Sequence, residues 1–401
     1  MHGSAHVKRL LIAKGLRAFG DGYVSLLLPL YLLGLGFTPL QVGIIATTTL
    51  LGSGLMTLLV GLYAYRYHYR KLLLAAALLM VGTGLGFALL ADFWPLMLIA
   101  LVGTLNPSSG DVSVFLPLEH AVLSRVADDK QRTAVFARYS LVGSLVAAFG
   151  SLAAAFPTML ASAGISSGAA MQAMFALYAI LGCLAAHVYS GLPRELGAAT
   201  RQATAPLEKS KKRVYTLAAL FSLDAFGGGF IVQSMIALWL YQKFGMSASA
   251  AGAVFFWTGV LTACSYLVAV RIARRIGLVN TMVFTHPPSN LCLILIPLMP
   301  TLGFAIALLF IRSALSQMDT PTRSSYVMAI VSPAERPAAA SITSVPRSLA
   351  SAVSPSISGY LLGLSTFGWP LVAAGVAKIT YDLLFLTMFR KIRPPEEDAD
   401  K

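Results

Sequence analysis

The chain is a succession of apolar runs of membrane-spanning length, set along 401 residues with only short polar segments between them. Read at about 20 apolar residues per spanning helix, the runs fall near 10–36, 40–64, 71–91, 94–118, 133–160 and 168–192, then near 214–242, 247–270, 278–300, 302–328, 338–363 and 367–389. Barrel strands need only about 10 residues and alternate in polarity, so runs of this length predict helices. Charged residues make up 11% of the chain and hydrophobic ones 57%, against roughly 25% charged in soluble domains. In water such a surface would carry large bare apolar patches; in lipid it is solvated. The reading is an all-α polytopic membrane protein with twelve transmembrane helices.

The basic residues are sided. Lys8 and Arg9 precede the first run, Arg66, Arg70 and Lys71 follow the second, and Arg125, Lys130 and Arg132 follow the fourth. Arg271, Arg274 and Arg275 follow the eighth, Arg336 lies between the tenth and eleventh, and Arg390, Lys391 and Arg393 follow the twelfth. The opposite loops carry almost nothing basic apart from Lys243. By the positive-inside rule both termini are cytoplasmic, in a cell inner (plasma) membrane. The net charge of +14 is thus spread between spans and forms no basic face of a soluble domain. Anionic lipid headgroups are the expected partner, and nucleic acid is not. The first run is too long for a cleaved signal and reads as a retained helix. Cys183, Cys264 and Cys292 lie inside apolar runs without metal-ligand spacing, so they read as small hydrophobes, with no metal site and no cofactor.

The chain restarts halfway. Arg17-Ala-Phe-Gly-Asp-Gly22 opens the first run and Asp224-Ala-Phe-Gly-Gly-Gly229 the seventh, 207 residues on (17 to 224). Arg132 opens the fifth run after an acidic loop and Arg336 the eleventh after Glu335, 204 residues on (132 to 336). Two landmarks at nearly one offset predict pseudo-symmetric six-helix bundles. The boundaries read 1–192 for the first bundle, 193–213 for a basic cytoplasmic linker, 214–390 for the second bundle and 391–401 for a cytoplasmic tail.

The loop after the second run, Gly61-Leu-Tyr-Ala-Tyr65-Arg66-Tyr-His68-Tyr-Arg70-Lys71, resembles the signature of the major facilitator superfamily. Gly61, Arg66, Arg70 and Lys71 match it; Tyr65 stands where that signature has an acid and His68 where it has a second glycine. Ser354-Pro355-Ser-Ile-Ser-Gly359 is similar to the superfamily's Gly/Pro antiporter motif, placed in the other half. The resemblance covers nearly the whole chain. It implies a major facilitator fold and a secondary transporter of a small molecule, and the motif forms lean towards export.

Ionisable groups inside apolar spans cost at least about 2–3 kcal/mol each, so each marks a partner or a polar cavity. Arg17 and Asp21 share a helix face; they form a neutralised pair, or Asp21 takes a proton, cation or substrate. Asp224 occupies the place of Arg17 in the second half, and the two are expected to approach each other. Asn106-Pro107-Ser-Ser-Gly-Asp111 breaks the fourth run, and Arg312, Gln317, Asp319 and Pro321 occupy the tenth. These are polar notches or packing kinks. His286 precedes Pro287 and Pro288, which predict unwound backbone; it is a titrating group or a hydrogen-bonded structural one. Arg138 and Arg347 are candidate anion anchors, or snorkel to the surface. Lys378 and Asp382 are expected to neutralise each other. Glu119-His120 stands alone at a helix end, which leaves a membrane enzyme without a site.

The leading expectation is a monomeric, proton-coupled exporter, not an enzyme, working by alternating access on a gradient of protons or another cation. Asp21 and Asp224 are the first candidates for coupling, with Asp111 behind them. Uptake of a small organic anion through Arg138, Arg312 or Arg347, and divalent metal efflux through Asp21 and His286, remain open.

Overall fold

The computed structural model describes residues 2–63, 66–108, 113–126, 132–193, 210–276, 278–316, 331 and 335–389. Among these the chain is helical throughout, with no strand. Helices α1 (His2–Gly34), α2 (Pro39–Tyr63) and α3 (Tyr69–Leu89) are followed by α4 (Phe93–Val102), α5 (Phe115–Val126), α6 (Arg132–Leu152), α7 (Phe156–Ser162) and α8 (Ser167–Ser190). Beyond them lie α9 (Lys211–Gly229), α10 (Gln233–Phe244), α11 (Ala248–Ile276) and α12 (Leu278–Leu295). The last three are α13 (Leu302–Leu315), α14 (Arg336–Leu364) and α15 (Trp369–Phe389). Eight of the described helical segments are long and apolar enough to cross a membrane. Their outward positions carry large apolar side chains such as Leu89 (76% exposed), and the short α4 adds Trp94 (71%), a surface suited to lipid.

Two compact units form. The first holds Met1–Arg201 together with Val232–Trp257, and the second holds Gln202–Ile231 together with Thr258–Lys401. In the first, α1 packs along α6 and α8, α3 along α8, and α2 along α4. In the second, α9 packs along α14 and α15, and α12 lies between α15 and α13. A core of Val214, Leu217, Phe221, Tyr381, Phe385 and Phe389 holds α9 to α15.

Close approach of small residues sets these crossings, because apolar burial gives no net drive between helices in lipid. A Cβ on Gly22 would run into the carbonyl oxygen of Ala147 on α6, and a Cβ on Gly229 into that of Ser351 on α14. Hydroxyls complete both seams: Ser354 donates to the carbonyl of Phe226 (2.6 Å) and Ser358 to that of Phe230 (3.0 Å). Ser151 donates to the carbonyl of Gly22 (3.4 Å). The repeated string therefore marks the same helix crossing in each unit.

The chain breaks between α4 and α5, and among the described residues several freed backbone groups find partners, as lipid demands. Gly103 N–H reaches Ile99 O (2.7 Å), Thr104 N–H reaches Thr83 Oγ1 (3.2 Å), and Ser108 N–H reaches the Asn106 side-chain oxygen (3.1 Å). Pro107 O accepts from Ser234 N–H at the start of α10 (3.0 Å). A second break, at Phe230–Val232 between α9 and α10, lies in a run read from sequence as continuous. By contrast α12 stays helical through Pro287 and Pro288, where unwound backbone was expected; packing against α13 and α15 supports it despite the missing donors.

We expect Gly22→Leu or Gly229→Leu to lower stability by more than about 1–3 kcal/mol, the usual cost of overpacking, since backbone opposes each new side chain. Gly82→Ala, which meets nothing within 4 Å, should leave the unfolding temperature of the purified protein unchanged or slightly raised.

Candidate functional site

Each unit buries its own cluster of charges. In the first, Glu119 on α5 is fully buried and Arg17 on α1 is 3% exposed. Arg17 Nη2 and the Tyr139 hydroxyl both donate to Glu119 Oε2, and the Tyr189 hydroxyl donates to Oε1 (2.7 Å). The Arg17 guanidinium also lies over the Phe115 ring, 4.0 Å from its centroid. Buried Lys14, one turn earlier, stands 5.2 Å from the centroid of Tyr139. One carboxylate thus receives a cation and two hydroxyls from α1, α6 and α8, which offsets the cost of burying it. One turn up α1, half-buried Asp21 accepts from the Tyr178 hydroxyl (3.5 Å), which also donates to Thr104 O at the α4 break (3.0 Å).

In the second unit four ionisable groups from α9, α12 and α15 form a chain. Lys378 Nζ donates to Asp224 Oδ1 (2.7 Å). The same oxygen faces His286 Nε2 at 3.9 Å. The other ring nitrogen, Nδ1, contacts Asp382 Oδ1 (2.8 Å), and Asn290 donates to Asp382 Oδ2 (2.8 Å). Asp224, His286, Asn290 and Asp382 are all buried, and the Tyr381 ring meets that of His286 edge-on at 6.1 Å. An ionised Asp382 calls for the Nδ1–H tautomer, which leaves Nε2, facing Asp224, to accept a proton.

The sequence profile of the Major Facilitator Superfamily matches residues 10–318 and 217–401. The chain belongs to the Major Facilitator Superfamily. It is 25% identical over 422 residues to the uncharacterized membrane protein YJR124C of Saccharomyces cerevisiae, covering 96% of this chain and 94% of the yeast protein. It superposes on the nucleoside transporter NupG with a TM-score of 0.73 at 15% identity, over 96% of this chain and 99% of that one. On a bacterial homolog of the human lysosomal transporter Spinster the TM-score is 0.76 at 16% identity, over 96% of each chain. At these identities the structural likeness shows the fold. Superfamily membership makes the protein a multi-pass membrane transporter and not an enzyme.

Several pairings expected from the sequence change in the folded protein. Arg17 and Asp224 each take a charge partner inside their own unit, Glu119 and Lys378 respectively. Lys378 bonds Asp224 and not Asp382, its neighbour one turn along, because Asp224 on α9 lies within direct reach of Nζ. Glu119 is no isolated residue but the hub of the first cluster. Asn106 is fully buried and accepts from the Ser108 hydroxyl (2.7 Å). Arg138 on α6 and Arg347 on α14 are exposed, and Arg312 on α13 is half-buried. In the signature loop Gly61 ends in α2, Arg66 and Lys71 are exposed, and Arg70 is half-buried at the start of α3. Asp111 and Asp319 lie outside the described residues. Glu119 escaped the sequence reading because its cation is 102 residues away, with no local spacing to announce it.

Glu119→Gln keeps an acceptor for only one of the two tyrosines and strips Arg17 of its counter-charge. We expect a loss of about 3–5 kcal/mol, the cost of stranding one member of a buried ion pair, read as a lower unfolding temperature. Adding Arg17→Met should recover part of the loss.

Proposed function

We propose that this superfamily member is a secondary active transporter that exports a small molecule across the inner (plasma) membrane by alternating access, coupled to protons. In this reading residues 1–192 and 214–390 are two six-helix bundles, twelve spans in all, with a cytoplasmic linker at 193–213 and a cytoplasmic tail at 391–401. The protein acts as a monomer with both termini cytoplasmic, and its basic loops meet anionic headgroups.

One observation carries the coupling: the charge sum around His286. Lys378 contributes one positive charge and Asp224 and Asp382 one negative charge each. With His286 neutral, the four groups sum to one net negative charge in a low-dielectric site, and one proton brings the sum to zero. A proton on Nε2 gives Asp224 a second cation in competition with Lys378 Nζ. The tie between α9 and α15 then weakens, so protonation acts on the contact that holds two helices together. The first cluster has no such surplus, since Glu119 is matched by Arg17. Asp224 therefore leads as a coupling residue, with His286 and Asp382 beside it, and Asp21 takes a substrate-contact or secondary role.

Purified protein in proteoliposomes, under an imposed pH gradient and offered cationic drugs, organic anions and divalent metals in turn, tests the reading. Flux of the transported compound should follow the gradient. Asp382→Asn, and the charge-neutral double variant Asp224→Asn with Lys378→Met, should reduce gradient-driven accumulation about tenfold or more and keep passive exchange. Flux indifferent to the gradient in the wild-type protein would rule proton coupling out.

A further inference from the structure

Arg312 differs from the other buried cations. Arg17 has Glu119 and Lys378 has Asp224, and Lys14 has an aromatic face. Among the described residues Arg312 is in no ion pair, and its Nε is shielded from solvent without a hydrogen-bond partner. The residue as a whole is half-buried, with that guanidinium nitrogen shielded. Its own backbone is fully used: the carbonyl accepts from Ser316 N–H (2.8 Å) and from the Ser289 hydroxyl (3.4 Å). Ser313, beside it, is spent on Leu309 O (2.8 Å).

The bland explanation is that Arg312, in the last turn of α13, compensates the helix C-terminus. That effect is worth about 0.3–1 kcal/mol at most positions, against at least about 2.5 kcal/mol for an arginine at membrane depth. The dipole falls short, and among the described residues no counter-charge makes up the difference, which leaves room for one that arrives with a ligand. Arg138 and Arg347 are exposed outright, without a shielded guanidinium nitrogen. A guanidinium matches a carboxylate or phosphate through paired N–H bonds.

We propose that Arg312 is the anchor for an anionic group, a carboxylate or a phosphate, on the transported solute. The proposal rests on the transport reading for the word "transported", yet binding to the empty protein tests it separately. Purified full-length protein in an uncharged maltoside detergent is unfolded thermally with benzoate against benzamide, and with phenyl phosphate against phenol. An anion should raise the wild-type transition by about 2–4 °C at saturating concentration, with no rise from its neutral twin. Arg312→Gln should lose that response, Arg312→Lys should keep a reduced one, and without anion Arg312→Gln should unfold no earlier than wild type.

Three results would overturn the proposal. The first is an equal response in Arg312→Gln, or none to either anion in wild type. The second is a response to phosphatidylglycerol alone, which would assign the arginine to a lipid headgroup. The third is an anion-free loss of stability in Arg312→Gln that Asp319→Asn reproduces and the double variant does not deepen, the mark of a structural ion pair. Gradient-driven flux in proteoliposomes enters none of these readouts, so either claim can fail while the other stands.

Discussion

A charge inside a bilayer must be met within a few ångströms, and that requirement organises the protein. Glu119 is tolerable at zero exposure because three helices converge on it with one cation and two hydroxyls. Those helices are thereby held in a fixed arrangement. The same holds for α9, α12 and α15 around Asp224, His286 and Asp382. Since apolar surface gains nothing from leaving lipid for protein, ion clusters and small-residue seams supply the specificity that a hydrophobic core supplies in water.

The two units solve this problem with the same crossing and different chemistry. Gly22 and Gly229 occupy matched places and let α6 and α14 approach with backbone in contact. Earlier on the same helices, at the head of each repeated string, stand Arg17 and Asp224. They are opposite in sign, and each has drawn a partner of the other sign from its own unit. The first cluster is a matched pair padded with tyrosine hydroxyls. Among the described residues the second holds one more carboxylate than fixed cations, and its histidine sits between the two acids. A matched pair resists titration, whereas a surplus of one charge invites it. In the proton-coupled reading, the first cluster is a clamp and the second a proton site.

Much of the fold was legible in the sequence because lipid imposes a length rule that single runs obey. The apolar runs, the sided charges and the near-constant offset between halves all survive in local sequence. So did the α4–α5 break, because Asn106-Pro107 removes a donor at a readable place. The α9–α10 break was not legible: Gly227, Gly228 and Gly229 permit it, but glycines there equally serve close packing. The partners of the charges were the least legible. A helical spacing of four residues suggested Arg17 with Asp21 and Lys378 with Asp382, yet tertiary contacts over more than 100 residues overrode both. Local spacing shows which residues share a face and is silent on what that face meets.

The surplus charge around His286 is most directly tested by counting protons. Weakly buffered, purified wild-type protein and the His286→Gln variant are stepped from about pH 9 to about pH 5, a window that brackets the ordinary range of histidine. A proton site at His286 predicts that the variant binds one proton per chain fewer than wild type. Equal proton counts in the two proteins would contradict it.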